Sequence, residues 1–505
     1  MSFVHTACGT LEGVRQDGYE AFLGIPYAKP PVGALRWREP EPPDPWEGVR
    51  KAVEFGPPCC QGREQVIPGG DPADRGVLDG GSEDCLYLNV WTPSLTPDRP
   101  QPVFVWIHGG AFCCGSGAGK SASPAPFCSR GIVYVTLNYR LGLMGYFAHP
   151  ELSAESPHHV SGNYAHFDQI MALKWVRENI AAFGGDPNQV TVGGCSAGAG
   201  STQVLCNSPL AKGLFQRAVI ESSVGLSCAV YPERDKLFTL KEMERRGAEY
   251  MELLGKSSLE QLRTMSYEEL VNHPEAAFRK KYHYGTSIGL NEDGYLLPRH
   301  YNDTMERMEN ADIPYLVGNT AGEGGEHVYG LTGERLREIS APVFGEDLEE
   351  YLALCRESDG DEWKKMLQDT HLRFAGAKAF AALNNEAGRG PVYVFSFARK
   401  DPVKGTAYHG LETQYLLGTY RRMEGMTGGD ERTAQAMQEY WCRFIQTGDP
   451  NGGSLSQWRP YTQSDPVFLC LDDPVCLRSE AQEHPLARYT TARILKVLRG
   501  KRAEE

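Results

Sequence analysis

Apolar and polar positions along the chain alternate between short, continuous apolar runs and longer amphipathic stretches. Residues 103–107 and 131–140 are runs rich in β-branched and aromatic residues. Runs of this kind predict strands that are buried on both faces, as in parallel sheets. Three further strands are predicted at residues 189–194, 314–319 and 391–397.

Between these runs, apolar residues recur at helical spacing. Residues 163–183 carry Ile170, Leu173 and Trp175 at such positions and are followed by a Gly-Gly pair, which predicts a helix that ends there. A second amphipathic helix is predicted at about residues 433–446. Alternating strands and helices predict an α/β fold with a mostly parallel central sheet and helices on both faces.

The length of 505 residues is compatible with one large α/β domain that carries insertions. We predict a single domain over residues 1–498 and a polar tail over residues 499–505. Residues 230–310 and 330–385 are polar and helical in pattern, and we predict that they are insertions over the ends of the strands. Residues 56–82, rich in Gly, Pro and Asp, predict a long surface loop.

The charge and the composition of the chain exclude some classes of binding partner. The net charge of −14 argues against nucleic acid or an anionic membrane surface, since both favour a basic face. The N-terminal residues lack the features of a signal peptide, and no apolar run is long enough to span a bilayer. We therefore expect a cytoplasmic protein. The 14 cysteines contain no C-x-x-C pair, which predicts mostly reduced thiols and no structural zinc.

Residues 194–198 read G-x-S-x-G, with Ser196 at the centre. An isolated match of this kind is also compatible with an ordinary glycine-rich turn. Here it directly follows a predicted strand and precedes a run of small residues at a helix start. A nucleophilic serine on a tight strand-to-helix turn needs such small neighbours. Ser196 is therefore the predicted nucleophile.

The sequence HGGAF, residues 108–112, follows the predicted strand at residues 103–107. Attack on an ester carbonyl places negative charge on its oxygen, and glycines let backbone N–H groups approach that oxygen closely. In α/β-hydrolases one such donor comes from the residue after the nucleophile, here Ala197, and others come from a loop of this type. A plain glycine turn is the alternative.

A serine hydroxyl needs a base, and the base needs an orienting carboxylate. Glu323 directly follows the predicted strand at residues 314–319, and His409 soon follows the one at residues 391–397. In parallel sheets, binding and catalytic residues lie beyond the C-terminal ends of the strands. Spacing favours these two residues without excluding other bases, and the histidines after Ser196 are His273, His283, His300, His327, His371, His409 and His484.

The chain resembles the type-B carboxylesterase family, which includes the cholinesterases, and is most similar to its bacterial para-nitrobenzyl esterase type. The resemblance covers nearly the full length and rests on residues 22–37, 83–93, 162–180 and 183–198. It implies an α/β-hydrolase fold and an enzyme that cleaves small to medium carboxylic esters, with short-acyl or aryl esters favoured. It implies no cofactor and no metal, a small-molecule ester as partner, and a monomer or small homo-oligomer.

Matched motif by motif, the resemblance implies Ser196 as nucleophile, Glu323 as acid and His409 as base. Gly318 and Gly324 fit the family pattern around the acid. The implied oxyanion donors are the backbone N–H groups of Gly110, Ala111 and Ala197.

The resemblance also implies a structural ion pair between Glu83 and Arg140. In secreted members, Cys85 pairs with an earlier cysteine, most simply Cys60 here. The chain departs from the family at Cys195, where a glutamate is usual, and this departure argues against choline esters.

Two other functions remain open. The same triad can cleave an amide or carbamate, and matched ester and amide substrates would separate these activities. Some relatives of the family are non-catalytic binding proteins that have lost the serine. All three triad positions are filled here, which argues for an enzyme.

Overall fold

The computed structural model describes residues 1–61, 81–223, 239–271, 289–299, 303–304, 307–323, 333–357, 371–483 and 485–503. The chain forms two compact units. The first contains Met1–Gln216 and Asp235–His300, and the second contains Arg217–Arg234 and Tyr301–Glu505. The prediction of a single domain with a polar tail stays a prediction.

In the first unit, a parallel core of strands is extended by antiparallel ones. β6 lies between β7 and β8 and runs parallel to both. β7, β5, β3, β2 and β1 then pair in antiparallel order, and β4 adds to β2 in parallel. The bounds are β1 Ser2–Thr6, β2 Gly9–Gln16, β3 Tyr19–Pro26, β4 Val49–Lys51, β5 Tyr87–Thr92, β6 Gln101–Ile107, β7 Val133–Leu137 and β8 Gly185–Cys195.

Of the helices described in the first unit, four lie between β6 and β8 in the sequence, and four more follow β8. Their bounds are Ala125–Cys128, Gly142–Tyr146, Pro150–Glu155, Tyr164–Asn179, Ala197–Asn207, Leu240–Leu253, Leu259–Arg263 and Tyr267–Val271. The helix predicted at residues 163–183 is confirmed as Tyr164–Asn179 with a 3-10 turn at Ile180–Phe183. It ends at Gly184, whose φ of 78° suits a residue without a side chain.

The second unit is built on a mostly parallel set of strands. β9 Arg217–Glu221, β10 Tyr315–Thr320, β11 Val392–Phe397 and β12 Val467–Leu471 are parallel neighbours in that order, and β13 Cys476–Ser479 is antiparallel to β12. The helices are Gly333–Phe344, Leu348–Glu357, His371–Glu386, Leu411–Leu416, Gly428–Thr447 and Pro485–Ala503.

The five strands predicted from apolar runs are confirmed as β6, β7, β8, β10 and β11. Every residue of β7 and of β10 is buried, as expected for strands covered on both faces. The helix predicted from residue 433 begins earlier, at Gly428, because Thr427 and Asp430 form a capping box there.

The described parts of the predicted insertions contain helices, whereas their position over the strands stays a prediction. Most of the predicted surface loop, residues 62–80, lies outside the described residues. Within the described ranges, no helix combines the length and apolar character needed to cross a membrane.

Candidate active site

Ser196 lies at a sharp turn between a strand and a helix of the first unit. β8 ends at Cys195, and the helix Ala197–Asn207 begins directly after Ser196. The backbone of Ser196 has φ 59° and ψ −122°, a combination that residues with a side chain rarely adopt. Strain of this kind persists only where the surrounding structure enforces it, and it is typical of functional sites.

Glycines flank this turn because no side chain fits there. A Cβ on Gly198 would lie 2.0 Å from the carbonyl oxygen of Ile107, and one on Gly194 would lie 2.4 Å from the same atom. Ile107 and Gly194 are partners in the parallel register of β6 and β8. The glycines thus allow the helix start to pack against the end of β6, which is the close packing that the sequence predicts.

The loop that follows β6, residues 108–115, lies beside the Ser196 turn; we call it the HGG loop. A Cβ on Gly109 would lie 3.2 Å from the Cβ of Ser196. Gly110 has φ 120°, and Ala111 and Phe112 have φ of 51° and 60°. Two successive non-glycine residues in the left-handed region cost roughly 1–2 kcal/mol each. The loop therefore depends on its neighbours for its shape.

Hydrogen bonds at both ends hold the HGG loop. The N–H of Gly142 donates to the carbonyl of Phe112 at 2.7 Å. Gln61 bonds twice to Gly115, since its side-chain oxygen accepts from the Gly115 N–H at 2.8 Å and its amide donates to the Gly115 carbonyl at 3.1 Å. These bonds fix the chain on either side of the strained residues.

His108, the first residue of the loop, is a supporting side chain. Its ring stacks on Tyr139 with 4.4 Å between centroids, and the Tyr139 hydroxyl donates to the His108 carbonyl at 2.8 Å. Burial lowers the pKa of His108 to about 4, so the imidazole is neutral at pH 7. A neutral ring in this position donates from Nδ1 to the Gly109 carbonyl, 2.8 Å away.

Ala197 begins the helix that follows the turn. The first N–H groups of a helix have no intrahelical acceptor and carry the positive end of the helix dipole. Negative charge that develops near this helix end is therefore stabilised. Of the predicted site residues, the first unit brings together Ser196, Ala197 and the HGG loop that contains Gly110 and Ala111.

Glu323 and His409 meet in the second unit. β10 and β11 are parallel, with Thr320 opposite Phe397, so the loops after these strands leave the same edge. A short parallel bridge between Gly322 and Tyr408 joins the two loops. Nδ1 of His409 hydrogen-bonds the carboxylate of Glu323. The structure thus pairs the two residues that spacing favoured as base and acid.

Glu323 is held more tightly than His409. Its side chain is fully buried, and its second carboxylate oxygen accepts from the backbone N–H of Thr320 at 2.9 Å. The His409 side chain is 33% exposed. When Nδ1–H donates to Glu323, Nε2 carries the lone pair of the neutral ring. Gly324 and His327, one of the other histidines that spacing left open as the base, lie outside the described residues.

Two further acidic side chains in the second unit were not predicted. Glu412 is fully buried in the helix Leu411–Leu416 and accepts from the hydroxyl of Ser222. Glu221, also fully buried, ends β9 and accepts from Nε1 of Trp441 at 2.7 Å. Their signal in the sequence is an acidic residue where an apolar one would be usual: at the end of a buried strand and three residues after His409.

These carboxyl groups influence one another. Burial raises the pKa of Glu412 to about 7, with the charge of Glu323 adding to the rise and His409 opposing it. Burial, together with the neighbouring Glu412, raises the pKa of Glu221 well above its ordinary value. Carboxyl groups with raised pKa values keep their protons to higher pH, so this region carries less negative charge than its composition suggests.

The predicted ion pair between Glu83 and Arg140 is wrong. Glu83 instead accepts from Arg36, whose Nε lies 2.7 Å from a carboxylate oxygen. Arg140 is paired with Asp168 through two bonds of 2.7 and 2.8 Å, and both side chains are buried. Each arginine reaches the carboxylate that folding brings beside it, which spacing along the chain does not reveal.

Cys85 contacts a different cysteine from the one that the family resemblance implies for secreted members. The thiols of Cys59 and Cys85 are hydrogen-bonded, and this bond and burial raise the pKa of Cys85 well above its ordinary value. Cys60, the partner that the resemblance implies for secreted members, is a free thiol, as are Cys59 and Cys85. Cys59 further accepts from the backbone N–H of Leu141 at 3.3 Å.

Comparisons with known proteins find similarity to carboxylesterases along nearly the whole chain. A family profile described as "Carboxylesterase family" matches residues 1–489. Fumonisin B1 esterase of Sphingopyxis macrogoltabida is 36% identical, over 90% of this chain and 83% of that protein. Para-nitrobenzyl esterase of Bacillus subtilis (strain 168) is 32% identical, over 95% and 96%. Phenmedipham hydrolase of Pseudarthrobacter oxydans is 30% identical, over 93% and 94%.

The solved structures that match this chain are also esterases. A PNB esterase matches with a TM-score of 0.82 and 30% identity, covering 97% of this chain and 99% of that one. A carboxylesterase of Geobacillus stearothermophilus, determined at pH 6.2, matches with a TM-score of 0.80 and 30% identity, covering 98% of this chain and 100% of that one.

Proposed function

The chain belongs to the carboxylesterase family, and we propose that this serine carboxylesterase acts through a triad of Ser196, His409 and Glu323. The α/β-hydrolase fold predicted from the sequence is confirmed. The observation that carries the proposal is the strained strand-to-helix turn at Ser196, with φ of 59° and ψ of −122°.

In the proposed reaction, Ser196 Oγ attacks the ester carbonyl carbon while His409 takes its proton. Glu323 holds the imidazole in one tautomer and stabilises the imidazolium that forms. The hydrogen bond from His409 to the buried carboxylate of Glu323 supports this role, because it commits Nδ1 to the carboxylate. His409 then gives the proton to the departing alkoxide.

The tetrahedral intermediate carries a negative oxygen. We assign its stabilisation to the backbone N–H groups of Gly110, Ala111 and Ala197, each donor contributing about 3 kcal/mol in comparable sites. The contact between Gly109 and the Ser196 turn, and the position of Ala197 at a helix start, support this assignment.

Water completes the cycle. His409 removes a proton from water, which attacks the acyl-enzyme carbonyl, and the proton is returned to Ser196 Oγ as the acid leaves. The substrate is a small-molecule carboxylic ester, and we propose a preference for short-acyl or aryl esters. The methyl of Ala111, exposed in the HGG loop where a glycine would leave more room, supports this preference.

The test is hydrolysis of para-nitrophenyl esters from acetate to dodecanoate by the parent protein and by Ser196→Ala. We expect the substitution to lower kcat by about a million-fold, as loss of a nucleophile does in other serine hydrolases. A pre-steady-state burst of para-nitrophenol should also disappear, since no acyl-enzyme can form.

Ser201→Ala is the matched control, because it removes the hydroxyl of a buried serine in the helix Ala197–Asn207, directly after Ser196. The Ser201 hydroxyl oxygen accepts from the side-chain amide of Gln169 at 2.9 Å. This variant should keep the activity. Circular dichroism should report the same fold for all three proteins. Substantial turnover by Ser196→Ala would contradict the triad, and faster turnover of a matched amide than of the ester would favour the amidase alternative.

A further inference from the structure

The carbonyl of Gly110 in the HGG loop accepts an unusual number of hydrogen bonds. The backbone N–H groups of Cys113 and Cys114 both donate to it at 3.0 Å. The thiols of the same two cysteines also donate to it, each with a sulfur–oxygen distance of 3.4 Å. A carbonyl oxygen has two lone pairs, so four donors around it define its direction closely.

The direction of this carbonyl matters for the N–H of the next residue. The Gly110 carbonyl and the Ala111 N–H belong to one planar trans peptide, so they point in opposite directions. Donors that hold the carbonyl on one side therefore hold the Ala111 N–H on the other. Hydrogen bonds to a carbonyl also polarise the peptide unit and strengthen donation by its N–H.

The backbone on either side of this peptide is strained. Ala111 and Phe112 both have positive φ, a conformation that costs free energy in residues with a side chain. The loop also closes tightly, since a Cβ on Gly110 would lie 1.9 Å from the Cys114 carbonyl oxygen. A rotation of the peptide would relieve strain and misdirect the N–H, so additional donors on the carbonyl have a clear physical role.

We propose that the thiols of Cys113 and Cys114 are positioning groups that aim the Ala111 N–H at the oxyanion of the reaction. This inference rests on the proposed function of Ser196 and the HGG loop. Cys114 is buried and Cys113 is half-buried, so their weak S–H donors act largely shielded from water. Neither thiol takes part in the chemistry; both act through the peptide they hold.

The test compares Cys113→Ala, Cys114→Ala and the double alanine variant with the double serine variant, which keeps a hydroxyl donor at each position. Removal of both thiols should lower kcat for para-nitrophenyl acetate about three- to tenfold, the range expected for one or two modest hydrogen bonds. KM should stay unchanged, because the donor acts on the transition state. The double serine variant should recover most of the loss.

A trifluoromethyl ketone supplies a second readout, because its adduct with a serine carries an oxyanion. Its inhibition constant should rise by the same factor as kcat falls in the double alanine variant. Cys442→Ala is the matched control, since it removes a buried thiol from the helix Gly428–Thr447 of the second unit. It should leave kcat and the inhibition constant unchanged.

Three outcomes would overturn the inference. The inference fails if the double alanine variant does not differ from the parent, if the double serine variant loses as much kcat as the alanine one, or if only the melting temperature changes. If Ser196→Ala abolishes turnover in the same assays, these outcomes reject the role of the thiols alone. If Ser196→Ala keeps full turnover, the proposed function fails, and the inference fails with it.

Discussion

The Ser196 region of the first unit and the His409 region of the second are stabilised by different means. Around Ser196, close backbone packing and positive φ angles define the geometry, and glycines stand where a Cβ would clash. Around His409, buried carboxyl groups define it: Glu323 bonds the imidazole, and Glu412 has a pKa that is raised by burial and by the charge of Glu323.

The difference reflects what each half of the proposed reaction requires. An oxyanion must be met by N–H groups that are already oriented, and a rigid backbone provides them without reorganisation. A base must change its charge during each cycle, so its surroundings must accommodate both states. The Ser196 region, which the backbone holds in shape, should therefore be sensitive to added side-chain volume. The His409 region, which charged groups hold, should be sensitive to changes in protonation.

Among the substitutions that compare the two regions, Glu323→Gln should have the largest effect, because it removes charge from the second region and keeps its shape. The amide cannot stabilise the imidazolium and can favour the wrong tautomer, so kcat should fall about 10⁴-fold, as for the equivalent change in another triad. KM for a para-nitrophenyl ester and the melting temperature should change little.

Glu439→Gln controls for the same chemical change on the helix Gly428–Thr447, where the carboxylate pairs with Arg443 at the surface. It should retain full activity. A loss of less than tenfold for Glu323→Gln would mean that another carboxylate orients the base.

Gly198→Ala tests the backbone-held region by volume alone. The new Cβ would meet the Ile107 carbonyl at 2.0 Å, and backbone on both sides must shift to relieve the contact. We expect a loss of about 1–3 kcal/mol in the free energy of unfolding, as for other overpacked sites. A displacement of the turn by about 1 Å should also lower kcat about 100-fold.

Urea denaturation and ester hydrolysis measure the two effects. Gly500→Ala is the control, because a Cβ there meets no atom within 4 Å in the final helix. It should leave ester hydrolysis unchanged and should not lower the free energy of unfolding, because alanine favours a helix more than glycine does. Parent-like activity for Gly198→Ala would show that the turn tolerates movement, which contradicts the view of a backbone-held region.

Glu412→Gln should have the smallest effect and a distinct pH dependence. Folding raises the pKa of Glu412 from its ordinary value to about 7, mainly through burial. Between these values the folded protein binds a proton that the unfolded chain has released. The stability contributed by this group is therefore complete at acidic pH and is lost as pH rises through about 7.

The amide of glutamine keeps an acceptor for Ser222 and has no proton to lose. The free energy of unfolding should thus fall less between pH 5 and pH 8 in Glu412→Gln than in the parent. Urea midpoints at the two pH values provide the measurement. An equal fall in both proteins would mean that Glu412 ionises in the folded state as it does in the unfolded chain.

Local patterns in the sequence predicted the parts of the fold that depend on a few neighbouring residues. Continuous apolar runs located β6, β7, β8, β10 and β11, because a strand buried on both faces needs an apolar side chain at nearly every position. The antiparallel strands β1 and β2 were missed, since they are only partly buried and lack such runs.

The partners of buried charges and thiols could not be predicted in the same way. Arg140 pairs with Asp168 and Glu83 with Arg36, and Cys85 contacts Cys59. Each of these contacts depends on which segments pack together, and several partners of suitable type are available at any spacing along the chain. The same limit hid the buried Glu221 and Glu412.

The sequence by itself determined the turn at Ser196 and the glycine loop after β6, because backbone strain and close approach select residue types locally. It also determined the family, through motifs within residues 22–198, and the family profile matches residues 1–489. Only the tertiary structure decided that Glu323 bonds His409, and that four donors converge on the Gly110 carbonyl. Distances between side chains that are remote along the chain, and the desolvation that shifts their pKa values, exist only once the chain is packed.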